Sequence, residues 1–97
     1  MYAVVVTFHG STQGVKDEFE RRFRDRVLPT AQAQPGFKGA YILLHRAHAK
    51  VLRMTLWETE EAAKTAARIL ERGRVEDAAA IGSSVPRPEV YEVITQA

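Results

Sequence analysis

The chain has no cysteine, which excludes disulfides, a thiol nucleophile and thiolate metal sites. It also lacks a dominant charge: fourteen Lys and Arg stand against twelve Asp and Glu, a formal net of +2. The ten arginines and four lysines are interleaved with acids rather than gathered into an arm. Asp17–Arg21, Glu18–Arg22 and Glu20–Arg24 fall at i,i+4 spacing, the pattern of a solvated helix face. Without a one-sign patch or interleaved aromatics, a nucleic-acid partner is not expected. Long apolar runs are missing too. The opening "MYAVVVTFHG" is apolar for only about eight residues and has no basic flank or cleavage site, too little for a signal peptide or membrane span. No membrane partner and a cytoplasmic location are the expectation. The six glycines match neither phosphate-loop pattern, and the loop serines lack a base–orienter pair. No repeat, low-complexity tract or long linker divides the 97 residues, so one domain over 1–97 is expected.

What is present is a regular alternation of elements. Tyr2–His9 is rich in β-branched residues and stops at Gly10, which reads as a strand. "GSTQG" is a turn cluster. Val15, Phe19, Phe23 and Val27/Leu28 then recur at helical spacing until Pro29, which should end or kink the helix. Ala40–His45 and Lys50–Trp57 are two strands joined by the short loop "RAHA", a hairpin by length. Thr59 suits a helix N-cap, with Glu60 and Glu61 in the first turn. Ala62, Ala63, Ala66, Ala67 and Leu70 form a small-residue stripe. A further helical piece follows, and Glu89–Thr95 closes as a strand. The order β-α-β-β-α-β, with strand order 4-1-3-2, predicts an α+β fold: a ferredoxin-like sandwich with a four-stranded antiparallel sheet under helices.

Period 2 divides each strand into two faces. The even set Val4, Val6, Phe8, Ile42, Leu44, Leu52, Met54 and Leu56 is uniformly apolar and is expected under the helices. A hairpin register with Leu44 opposite Lys50 and Ile42 opposite Leu52 keeps it together. The odd set Val5, Thr7, His9, Tyr41, Leu43, His45, Val51, Arg53, Thr55 and Trp57 then shares the other face, too apolar in part to stay wet. A homodimer through that sheet face, enclosing a mixed apolar–polar cavity between two sheets, is the expectation.

"PGFKG", the hairpin and then "LWETEEA" resemble the Pro-Gly-Phe … Trp-Glu-Ser/Thr-Glu-Glu-Ala pattern of the antibiotic biosynthesis monooxygenase (ABM) domain family. The order of elements matches over essentially the whole chain, through "VPRPEVYEVI". The resemblance implies a dimeric α/β barrel of about this length. It also brings in cofactor-independent oxygenases of aromatic polyketides and quinols, haem-degrading enzymes and others. The haem-degrading branch uses an Asn on the first strand and a Trp and a His on the second helix. Those places are held here by Thr7, Ala66 and Glu76, and the chain has no Asn at all. The polyketide-oxidising branch uses an Asn, a Trp and a Tyr. Trp57 matches the Trp, while the other two places hold Arg53 and Ala63.

The candidate site follows from both lines. His9 and His45, ending parallel strands roughly 10 Å apart, are the candidate general bases toward a phenol or quinol. Arg53 must be paired if enclosed; it suits a substrate carboxylate or phenolate, or an acid of a partner chain such as Glu89 or Glu92. Trp57, Tyr41, Leu43 and Thr7 complete the substrate-contacting set. No metal and no cofactor are expected. The implied function is a cofactor-independent monooxygenase of a small phenolic or quinol compound. The alternative is a non-catalytic small-ligand-binding or dimerisation module of the same fold.

Overall fold

The computed structural model describes residues 1–9, 15–48 and 50–97. The turn expected over Gly10–Gly14, and Ala49 in the hairpin loop, lie outside the described residues. Strand β1 (Tyr2–His9) leads to helix α1 (Val15–Arg22), a π-helical turn (Phe23–Val27) and helix α2 (Leu28–Gln32). The hairpin β2 (Phe37–His45) and β3 (Lys50–Trp57) follows, then α3 (Glu60–Ile69), α4 (Glu71–Ala80) and a short β4 (Glu89–Glu92). The four strands form one antiparallel sheet in the order β2-β3-β1-β4, as expected from the connection rules.

Pro29 does not end the helix. Its missing N–H and its ring conflict with a regular turn, and the backbone answers with the wider turn just before it, where the Leu28 N–H reaches back to the Phe23 carbonyl. Helical backbone then runs on to Gln32. Thr59 caps α3 as its residue type predicts: its hydroxyl accepts a hydrogen bond from the Ala62 N–H at 3.1 Å. The alanine stripe behaves likewise, with Ala63 and Ala66 fully buried against the sheet. Gly36 carries the turn into β2 at φ 85°, a conformation that favours glycine. A Cβ there would stand 3.1 Å from the Ala62 Cβ.

Two expectations are overturned. The sheet is not closed into a barrel: β2 and β4 are its open edges, and the fold is a ferredoxin-like open sheet with helices on one side. The hairpin register is also shifted by one residue. His45, not Leu44, stands opposite Lys50; Leu44 faces Val51 and Ile42 faces Arg53. On the other side of β3, Phe8 faces Val51, Val6 faces Arg53 and Val4 faces Thr55. Directly opposed residues share a face, so a slip of one inverts all of β3. Val51, Arg53, Thr55 and Trp57 therefore lie beneath the helices with Val4, Val6 and Phe8, and all seven are buried. Leu52, Met54 and Leu56 point to the open face and are only half-buried.

The core sits between helices and sheet. Phe8 and Phe19 meet edge-on at 4.7 Å between ring centroids. Trp57 meets Phe37 at 5.5 Å, with Ala63, Ala66, Ala78 and Ile81 closing over the sheet.

Candidate active site

Where α1 and the π turn pass over the β2–β3 hairpin, the roof and floor do not meet. A cavity of about 410 Å³ remains, lined by Phe23 and Leu28 above, Ile42, Leu44 and Val51 below, and Lys16, Glu20 and Arg24 beside them. Side chains at Phe23 and Leu28 come from either end of the π turn, so the helix distortion forced near Pro29 helps shape the roof. Glu20 takes Lys16 at 3.4 Å and Arg24 at 3.8 Å. The chamber is thus apolar inside and charged at its side. It lies on the helix side of one chain, on the opposite side of the sheet from the open face where the expected inter-sheet cavity would form.

Next to its floor stands an unusual charged group. Arg53 faces Ile42 across the hairpin and is 3% exposed. Its Nη1 donates to Asp77 Oδ2 at 3.3 Å, and its Cζ lies 5.5 Å from the centre of the Phe8 ring. Asp77, on α4 and 1% exposed, also accepts from Arg22 Nη1 at 3.4 Å. Burial pushes the Arg53 guanidinium down to about 10, with the Arg74 charge adding to the drop and Asp77 opposing it. The expected partner of Arg53 was a substrate carboxylate or phenolate, or an acid of a second chain such as Glu89 or Glu92; within the chain it meets Asp77. Asp77 was missed because α4 reads as weakly patterned. The available signal was its place in the buried stripe Arg74, Asp77, Ala78 and Ile81, where an acid needs a cation.

The expected site residues are divided between two faces. Trp57 is fully buried on the helix side and its indole N–H donates to Thr55 Oγ1 at 2.8 Å. Arg53 is on that side too. On the open face, direct rows run His9–Lys50–His45, Thr7–Leu52–Leu43 and Val5–Met54–Tyr41. His9 and His45 are exposed at its end, with the His45 ring 4.6 Å from that of His48. The sheet separates these histidines, Thr7, Tyr41 and Leu43 from Arg53, Trp57 and the cavity. Among the described residues, no group of three or more His, Asp or Glu could hold a metal ion.

Residues 1–68 match the family model described as antibiotic biosynthesis monooxygenase. No curated protein matches the chain. Among solved structures, the chain is similar to SnoaB, a cofactor-independent oxygenase from Streptomyces nogalater, at 22% identity and TM-score 0.69, over 98% of this chain and 94% of that one. It is also similar to the ActVA-Orf6 monooxygenase of Streptomyces coelicolor, solved with nanaomycin D, at 17% identity and TM-score 0.69, covering 99% and 92%. A third structure, MhuD with two manganese protoporphyrin IX groups per active site, matches at 18% identity and TM-score 0.70, covering 100% and 98%. At these identities the likeness is one of fold.

Proposed function

Because this chain belongs to the antibiotic biosynthesis monooxygenase family, we propose that it is a cofactor-independent monooxygenase of a small phenolic or quinol compound. The substrate occupies the cavity between α1 and the β2–β3 hairpin. The observation that carries this reading is the chamber itself: about 410 Å³, enough for a compact aromatic molecule, apolar within and charged at one side.

In such chemistry the substrate anion is the reductant. Overall the substrate loses two hydrogens as two electrons and two protons, one proton by way of the base, and these reduce one atom of O₂ to water while the other atom enters the substrate. The protein has to promote ionisation, hold the anion and keep water away. Glu20 is the carboxylate among the lining residues and takes the proton in this scheme. His9 and His45, the expected bases, serve only a ligand bound on the open face. Arg53 next to the floor supplies positive potential toward the substrate anion. Phe23, Ile42, Leu44 and Val51 exclude water, while Trp57, six residues along β3 from Val51 and packed against Phe37, stands apart from the chamber.

The alternative reading, a non-catalytic ligand-binding module, is favoured by one observation. At the two places where the polyketide-oxidising pattern has Asn and Tyr, this chain has Arg53 and a fully buried Ala63. Oxygen uptake with a panel of quinols and anthrones, corrected for autoxidation, separates the two. The enzyme reading expects protein-dependent uptake, lost by about tenfold or more in Ile42→Trp, which fills the chamber, in line with a lost positioning contribution. Saturable ligand binding with no uptake selects the module instead. Ile42→Trp behaving as wild type refutes the location.

We further propose a homodimer joined through the open sheet face, in the cytoplasm. No helix among the described residues is long and apolar enough to cross a membrane. The support for the dimer is that face's composition: Val5, Leu43, Leu52, Met54 and Leu56, with Tyr41 54% exposed. Three strands of eight or nine residues and the four-residue β4, about 4.8 Å apart, give a face on the order of 450 Å². With its flanks that approaches the ~800 Å² per partner of a stable interface.

A further inference from the structure

Four arginines converge on α4, and their charges do not cancel where they are buried. Arg22 has Glu18 at 2.8 Å and Arg26 has Glu76 at 2.7 Å, besides their longer contacts to Asp77 at 3.4 and 3.9 Å. Arg53 has Asp77 at 3.3 Å. Among the described residues Arg74 pairs only with Glu71, at 3.8 Å from its Nη2, and that glutamate side chain is 67% exposed. Arg74 itself is 8% exposed, and its Nε is buried with no hydrogen-bond partner among the described residues. Two guanidiniums, those of Arg53 and Arg74, are thus buried, while the one buried carboxylate among the described residues, Asp77, is held by Arg53 and Arg22, with Arg74 three residues before it on α4. At neutral pH neither arginine sheds its proton to escape this. A buried positive charge without a counter-charge is costly, and an orphaned donor adds to the cost.

We propose that Arg53 and Arg74 form a binding site for one oxyanion group, a carboxylate or an ionised ring oxygen. Such a group satisfies the Arg74 fork and balances the second guanidinium. Arg53 is the link to the cavity: its cross-strand partner Ile42 and its same-face neighbour Val51 both line the chamber. The anion has two sources with the same chemistry. It is either a free small carboxylate or the acidic group of the aromatic ligand in the chamber, and only the second source rests on the reading of the cavity as the substrate site. In that case the substrate class narrows to aromatic compounds that carry an ionised oxygen at the end inserted toward β3 and α4.

Calorimetric titration at constant ionic strength with sodium acetate, sodium 1-naphthoate and neutral 1-naphthylmethanol tests this without any turnover. The site predicts saturable naphthoate binding, tighter than naphthylmethanol by about tenfold or more, as expected for a charge-assisted hydrogen bond. Arg74→Met removes that advantage while melting no lower than wild type, because the buried charge without a close acid is gone. Acetate binding as tightly as naphthoate, and lost in Arg74→Met, supports the anion site and separates it from the chamber. No saturable binding of either carboxylate, or an anion preference unchanged in Arg74→Met, overturns the proposal. Should that variant fail to fold, Arg74→Lys keeps the charge without the planar fork. Its naphthoate affinity is expected to fall by roughly threefold or more, and an unchanged value overturns the site. Failure of the oxygen-uptake assay with intact naphthoate binding refutes the enzyme reading alone.

Discussion

Neutralising Asp77 should damage this protein more than removing it together with Arg53. Asp77→Asn keeps the shape of the side chain but leaves Arg53 buried beside Arg74 with no buried acid. Breaking a buried ion pair in this way costs about 3–5 kcal/mol. A domain of this size holds only about 5–15 kcal/mol in all, and its Tm moves by roughly 4–8 °C per kcal/mol. The variant should melt about 12 °C lower at the least. The double variant Arg53→Met/Asp77→Leu behaves differently. With Asp77 in place, burial still holds the Arg53 guanidinium down at about 10, well below its usual value. A displacement of that size is worth about 3 kcal/mol against the charged form, so the pair does not repay its burial. Since the folded value lies below the unfolded one, the unfolded chain holds the extra proton between them and stability rises with pH across that alkaline window. Below about pH 10 the penalty is complete, and a neutral-pH measurement reads all of it. The double variant should therefore match or exceed the wild type, because Arg22, Arg26 and Arg74 retain Glu18, Glu76 and Glu71. Urea unfolding followed by the fluorescence of Trp57, the sole tryptophan, measures each. A single variant losing under about 1 kcal/mol, or a double variant as weak as the single, contradicts the value placed on this pair.

Other expectations are smaller and separate. Met54→Lys puts a charge in the middle of the open face, next to Val5 and Tyr41. Light scattering should show a monomer where the wild type is a dimer, with the melting of the domain itself little changed; a wild-type monomer at micromolar concentration contradicts the proposed interface. Thr59→Ala removes the α3 cap seen at 3.1 Å and should cost about 1 kcal/mol in urea unfolding; no change would mean the cap is replaced by water. Hydrogen bonds from Arg21 and Arg22 hold the Glu18 carboxyl below its usual value of 4.5. Its contribution is complete above that value and is lost as the pH falls through the lowered folded one. Glu18→Gln should flatten the acid limb of a stability–pH curve, and an unaltered limb would discount the network.

Much of the fold was legible because it depends on local chemistry. Thr59 followed by two glutamates announces a cap, the alanine stripe announces a close-packed helix, and the order of elements leaves few right-handed arrangements of four strands. The cavity was less legible. Its roof depends on how the backbone passes Pro29, and the sequence says only that a regular turn fails there. Ile42 and Leu44 look like any core residues until the helix above leaves them partly unfilled, and Val51 joins them only through the shifted register.

The chain's own pattern determined the elements, their order and the presence of apolar side chains on both faces of the sheet. Tertiary structure decided which residues of β3 lie on each. Hydrophobicity favoured Leu52, Met54 and Leu56 inside, yet pairing with both β1 and β2 puts Arg53 and Thr55 there instead. The inversion is tolerable because Asp77 meets the arginine and Trp57 meets the threonine, partners that arrive from a distant helix and from two residues along the strand. A strand has only two faces, so one step of register exchanges them completely, and only the assembled sheet and α4 fix that step.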